Sequence, residues 1–366
     1  NTTWTNDNIY KLNQKVVVDA GTTLTIEAGT IIQGTPGTGS LASALIIARG
    51  SKINAVGTPS QPIIFTSSTD NIEIGETAGT NLDENDRGLW GGLIILGNAP
   101  CSFSGDIVEA QIEGIPADDT FGLYGGTDPE DNSGVVSYIS IRHGGALIGE
   151  GNEINGLTLG GVGNGTIINN IEVVANVDDG IEFFGGTVNA SNLLVWAQGD
   201  DALDIDQAYS GTIDNALVIL GDFSDHAFEI DGPEGSATGS FTLQNATIIG
   251  NTTTENGEYA DYRSGATGTT NNIYAYGFKA SSDVELDNDG VATNYNDGQL
   301  IFGVWELVLP EGVTDVTSLF VNKADNVSVT DFGITASAIT EGENTVGANT
   351  SSLSWTYSND AGSLNF

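Results

Sequence analysis

The sequence predicts an all-β chain wound as a right-handed parallel β-helix, a solenoid with capped ends and long loop insertions. Three observations carry that expectation. Asn residues open similar segments at 170, 192 and 215, in "NIEVVANVDDGIEFFGG", "NLLVWAQGDDALDIDQA" and "NALVILGDFSDHAFEIDG", 22 and then 23 residues apart. Acidic knots follow at 178, 200 and 225, so a two-residue insertion lies in the third copy near Gly221 and Asp222. The β-rich runs are only a few residues long and are broken by Gly, Asn, Thr and Pro. A β-sandwich would show hairpin pairs and longer strands. Fixed columns in a cycle of about 22 residues instead suit stacked coils of about three strands each.

Taken in chain order, residues 1–14, with Trp4 and Tyr10, are expected to cap the first coil and hide its open edge. Residues 15–300 form the helix body. It begins with "KVVVDAGTTLTIEAGTIIQG" and "ALIIARGSKINAVGTPSQPIIFTS", passes through "GLWGGLIILGNAP", and reaches the repeated segments through "VVSYISIRHGG". "NATIIGN" from Asn245 starts a further copy after a longer connection. Polar stretches after about residue 250 read as surface loops, and "DNDGVATNYND" is a second candidate calcium loop. Residues 301–366 read as irregular last rungs and a C-terminal cap. Asn170, Asn192, Asn215 and Asn245 are expected to stack as a ladder, each amide bonding its neighbours.

Alternation along the strands assigns faces. Ile181/Phe183, Leu203/Ile205 and Phe228/Ile230 should point inward. Glu182, Asp204 and Glu229 then form one outward column, with Phe184, Asp206 and Asp231 beside it. On another wall, Ile171/Val173, Leu193/Val195 and Ala216/Val218 point inward. Val174, Trp196, Ile219 and Ile249 would then line an outer apolar stripe. A stripe of that length needs a cover, from a loop, the C-terminal segment, a partner protein or a glycan.

Composition narrows the partners. The chain of 366 residues carries 49 acidic and 9 basic residues, a formal charge of −40, which favours cations and disfavours nucleic acid and anionic membranes. An apolar content of 39% in regular short runs argues against disorder. Fifty glycines without a period of three mark tight turns. Cys101 is alone, so no internal disulfide forms, and no apolar run is long enough to span a membrane. The lack of Met and of a signal peptide is expected of a mature exported chain.

"YISIRHGGALIGEGNEINGLTLGGVGNGT", followed by "DDGIEFFGGTVN" and "GDDALDIDQAYSG", resembles a family of secreted right-handed β-helix proteins of Bacteroidetes and some Proteobacteria. The resemblance spans roughly residues 15 to 300 and is most specific over 138 to 211. It implies secretion or display on the outer surface of a Gram-negative bacterium, as a lipoprotein or by type IX secretion. More distantly the rungs resemble the pectin-lyase-like superfamily, which contains polysaccharide lyases and hydrolases.

Outward carboxylates on successive rungs stand about 4.8 Å apart. Two unit charges there repel by about 1 kcal/mol in water and about 3.5 at an effective dielectric of 20. Such columns raise one another's pKa or bind a cation. Donor sets rich in oxygen suit calcium, with Asp178, Asp179, Glu182, Asp200, Asp201, Asp204, Asp206, Asp225, Glu229 and Asp231 as candidate ligands. The expected function is a calcium-stabilised binding or structural module, for adhesion or glycan contact. An alternative is a glycoside hydrolase using Asp201 and Asp204, with His226 as a further acid or base. The hydrolases of the resembled superfamily carry Gly-His-Gly and Arg-Ile-Lys elements after their aspartates, and this chain has neither. A lyase would need Arg or Lys near the columns, and between Arg142 and Arg263 the chain has neither, the histidines there being His143, beside Arg142, and His226. Phe184, Trp196, Tyr209 and Ile219 are the candidate glycan or partner contacts. The stripe around Trp196 and Ile219 also suits a component of a surface or secretion complex.

Overall fold

The computed structural model describes all residues from 1 to 366 except 117, 118, 149–153, 255, 363 and 365. Its strands stack in parallel into two large sheets, which together make a β-helix. One sheet has ten strands, from Lys15–Val18 at one end to Phe320–Asn322 at the other. Its middle strands are Ile181–Phe184, Leu203–Asp206, Phe228–Ile230, Ala260–Tyr262 and Val284–Leu286. The other sheet has fifteen strands, among them the long ones Ile167–Val174, Asn189–Trp196, Thr212–Ile219, Phe241–Ile249 and Gly268–Tyr276.

Each of these long strands turns a corner at one residue. Asn170, Asn192, Asn215, Asn245 and Asn272 all have φ between 53° and 66°, and the pairing register skips them. The bend divides the long strands into two walls, and the ten-stranded sheet is the third. Left-handed backbone costs most L-residues roughly 1–2 kcal/mol, and Asn tolerates it through local hydrogen bonds. The Asn column is therefore first a backbone device. As a ladder it is interrupted: Asn215 donates to Asn192 at 2.7 Å and Asn272 to Asn245 at 2.9 Å, but Asn245 turns to Asp214 and Asn170 to Asn169. Asn272→Ala is accordingly expected to be less stable than Asn272→Gly by roughly 1 kcal/mol, because only glycine keeps the corner unstrained. Denaturant titration of the two variants checks this.

The inside follows the alternation expected. Ile181, Phe183, Leu203, Ile205, Phe228 and Ile230 are buried in one continuous apolar core with Ile171, Val173, Leu193, Val195, Ala216 and Val218. Residues 1–14, expected to form a cap, supply strands of their own. Thr2–Trp4 pairs in parallel with Thr23–Ile26, and Ile9–Leu12 with Ile31–Gly34. Stacking also continues past residue 300, through Trp305–Leu307 and Ala336–Ala338. "DNDGVATNYND" is helical over most of its length. Asp289–Asn296 is an α-helix capped by the Asn288 side chain, and the Asp289 carboxylate accepts from the Asn326 backbone and amide.

The segment after Ala338 runs back along the stack. Glu306 accepts from Thr345 and Val346, Thr247 from the Ala348 amide, Asn215 from the Asn349 amide, and Glu172 from the Tyr357 and Ser358 amides. Leu353, Tyr357, Leu364 and Phe366 from this segment pack on Val174, Leu194, Trp196, Leu217, Ile219 and Ile249. The outer apolar stripe is thus covered by the chain's own C-terminal segment.

Candidate metal centre

The outer face of the ten-stranded sheet carries the acidic residues. In register along it run Thr158, Glu182, Asp204, Glu229, Asp261 and Glu285, each flanked in its own strand by two inward apolar residues. The residue at the entry to each strand stacks likewise. Backbone bonds from Gly180 to Asp201, Ala202 to His226, Ala227 to Glu258 and Tyr259 to Asp283 place Asp179, Asp201, His226, Glu258 and Asp283 in a second column. A third column holds Phe184 and Asp206 in register, followed by Asp231, Arg263, Asp287 and Lys323.

The structure brings most of the expected ligands together. Asp178, Asp179 and Asp200 form one group whose carboxylate oxygens lie within 4.8 Å of one another, and Asp179, Glu182 and Asp204 form a second. Asp204, Glu229 and Asp231 form a third, and Asp201, His226 and Glu229 a fourth. Asp206 and Asp225 stand outside these groups. Asp206 accepts from the Gln207 amide at 2.5 Å, and Asp225 lies 3.9 Å from His226 Nε2.

Sequence reasoning missed most of the far half of the columns: Glu258, Asp261, Asp283 and Glu285. A 33-residue step separates Asp225 from Glu258, so the period is lost there. The surviving signal was an acid between two inward apolar residues, in "ADY" at 260 and "VEL" at 284.

Electrostatics divide the face in two. In the far half the chain supplies its own cations. His226 Nδ1 lies 2.8 Å from Asp201 Oδ1, and its Nε2 is 3.9 Å from both Asp225 and Glu258. Burial alone would lower its pKa, but the hydrogen bond and charge of Asp201, with Asp225 and Asp261, raise it to about 9. That direction favours the imidazolium at neutral pH, held by the Asp201 carboxylate. Arg263 donates from Nε to Asp231 at 2.8 Å, contacts Glu229 and lies 3.6 Å from Asp261. Lys323 contacts Glu285 and lies 3.9 Å from Asp283.

The near half has no such help. Among the described residues, no Lys, Arg or His is within ion-pair distance of Asp179, Glu182, Asp204 or Asp206. Their polar partners are neutral: the Asn155 amide donates to Glu182, and the Asp201 backbone donates to Asp179 at 3.0 Å. Asp204 is 8% exposed, and its Oδ1 is buried with no hydrogen-bond partner. Burial, and then the neighbouring carboxylates, push Asp179, Glu182 and Asp204 well above the usual carboxylate range. The same causes, burial first, raise Asp206 to about 7 and Asp200 to about 6. Glu258 rises to about 7 by burial and the nearby Asp283. These groups must either keep their protons at neutral pH or find a cation.

The four expected contact residues are corrected by the structure, for none is offered to solvent. Tyr209 packs inside on Phe183 at 4.8 Å between ring centres and donates to the Val188 carbonyl. Phe184 lies under Tyr124 in an apolar cluster with Phe103, Ile112 and Ile115. Trp196 and Ile219 are buried beneath the C-terminal segment, Trp196 against Tyr357. Strand alternation says which residues leave the core, but not which later segment lies over them.

No helix among the described residues is long and apolar enough to cross a membrane. No curated protein and no solved structure matches the chain. The model of the pectate-lyase-like β-helix domain matches residues 1–358, nearly the whole stack of coils. With that match and this architecture, the chain belongs to the pectate-lyase-like β-helix domain family.

Proposed function

We propose that this β-helix is a calcium-stabilised binding or structural module of the secreted or outer-surface kind. The observation that carries it is the group of Asp179, Glu182 and Asp204. Three buried carboxylates converge there without a protein cation, and Asp204 Oδ1 has no partner. Burying a bare carboxylate costs several kcal/mol, so a counter-ion at that place stabilises the fold directly. Calcium fits because the donors are all oxygen and because it accepts variable ligand numbers. Asp178 and Asp200 add oxygens at the adjoining turn. Extracellular calcium modules work at affinities of roughly 10⁻⁴–10⁻³ M, which suits a surface protein that remains loaded outside the cell. Glycan contact, adhesion or assembly with a surface complex are the roles such a scaffold would serve.

Calorimetric titration of the ion-free protein tests the site. Wild type is expected to bind calcium, and Asp204→Asn to weaken it by about tenfold or more, with far-UV circular dichroism unchanged. A wild type that takes up no calcium at roughly 10 mM, well above the extracellular range, would sink the reading.

A further inference from the structure

Asp204 belongs to two groups at once. On one side it meets Asp179 and Glu182, and on the other Glu229 and Asp231, each group having its oxygens within 4.8 Å. The groups differ in what the chain puts into them. In the second, the Arg263 guanidinium donates from Nε to Asp231 Oδ2 at 2.8 Å and contacts Glu229 through Nη2. One guanidinium thus holds two of the three members. In the first, the donors are a side-chain amide and a backbone amide, both neutral. A guanidinium and a divalent ion compete for the same carboxylate lone pairs, and a carboxylate with two oxygens can serve a cation on each side.

On the reading of this face as a cation site, we infer that Asp204 is a carboxylate shared by two cation positions. The first, with Asp179 and Glu182, is open to a divalent ion. The second, with Glu229 and Asp231, is held by Arg263, whose guanidinium pairs with Glu229 and Asp231 and stands beyond ion-pair distance of Asp204. Arg263 therefore sets how many divalent ions the face takes up. Its side chain is 36% exposed, so its replacement opens no hole in the apolar core. The unpartnered Asp204 Oδ1 is the second, independent sign that a ligand belongs here, for buried polar atoms in folded proteins are nearly always paired.

The test counts ions. The full chain, stripped with chelator and titrated with calcium chloride, is followed by native mass spectrometry and calorimetry. Arg263→Gln is expected to bind one ion more than wild type. Adding Asp231→Asn to that variant should remove the extra ion alone, while Asp179→Asn should remove the first ion from both backgrounds. Equal ion counts in wild type and Arg263→Gln overturn the inference. A wild type without any bound ion sinks the calcium reading instead, and the difference between wild type and Arg263→Gln still decides the role of Arg263. If Arg263→Gln unfolds without calcium and refolds with it, the ion has replaced the guanidinium, as inferred. A variant that stays unfolded in calcium overturns the inference.

Discussion

Glu172→Ala is expected to destabilise the protein by roughly 3–5 kcal/mol and to release the C-terminal segment. Glu172 is fully buried on the outer side of strand Ile167–Val174. Its two oxygens accept from Ser140 Oγ at 2.5 Å, the Tyr357 and Ser358 amides at 3.1 and 2.8 Å, and Ser358 Oγ at 2.6 Å. Ser140 Oγ in turn accepts from Arg142 Nε at 2.7 Å, and the Arg142 guanidinium lies 4.3 Å from the centre of the Tyr357 ring. Removing the carboxylate takes away a charge that offsets the buried Arg142 guanidinium and leaves several donors without their acceptor, and a buried polar group left unpaired costs more than an ordinary hydrogen bond contributes. Glu172→Gln keeps an acceptor and should lose less. Hydrogen exchange at the Tyr357 and Ser358 amides reads the effect locally, and thermal melting reads it globally. Unchanged protection in Glu172→Ala would show that apolar packing alone holds the segment.

That packing also determines the consequence of release. Val174, Leu194, Trp196, Leu217 and Ile219 would face water, and each loses roughly 1.5–3 kcal/mol of burial. The exposed stripe would promote self-association, which light scattering detects.

Chelating divalent ions is expected to make stability fall steeply with rising pH. The sign comes from the raised carboxylates. Asp206 and Glu258 at about 7, and Asp200 and Asp261 at about 6, hold protons in the folded state that the unfolded chain releases near pH 4. Their contribution is fully present below about pH 4 and is lost as pH rises through 6 to 7. His226 has the same sign in a higher window. Its contribution is present below its unfolded value near 6.5 and is lost as pH passes about 9. In chelator the melting temperature should drop by an amount on the order of 10 °C between pH 5 and pH 8. With calcium the drop should shrink, because the ion takes the place of the protons. Parallel melting curves with and without calcium at pH 8 would count against the ion.

Much of this was legible in the sequence, through period and alternation. The Asn and Asp spacings reflect a coil of fixed length. Because strand side chains alternate, Ile181/Phe183 and Leu203/Ile205 had to be inside and Glu182 and Asp204 outside. Parallel stacking then put those carboxylates in one column without further information. Even the cover over the apolar stripe could be anticipated, since such a stripe cannot stay wet.

Tertiary structure alone decided which charges meet. Arg263 and Lys323 reach the acidic columns from rungs whose period is hidden by long insertions, and no local pattern ties them to Glu229 or Glu285. Which side chains come to lie against Phe184, Trp196, Tyr209 and Ile219 was also out of reach. Each is buried by contacts distant in the chain, such as Tyr357 over Trp196 and Tyr124 over Phe184. The division of the acidic face into a half with its own cations and a half without them is likewise a fact of three-dimensional neighbourhood. Sequence determines what each rung presents, by backbone periodicity. What comes to lie against it depends on segments whose approach is set by long-range packing and charge.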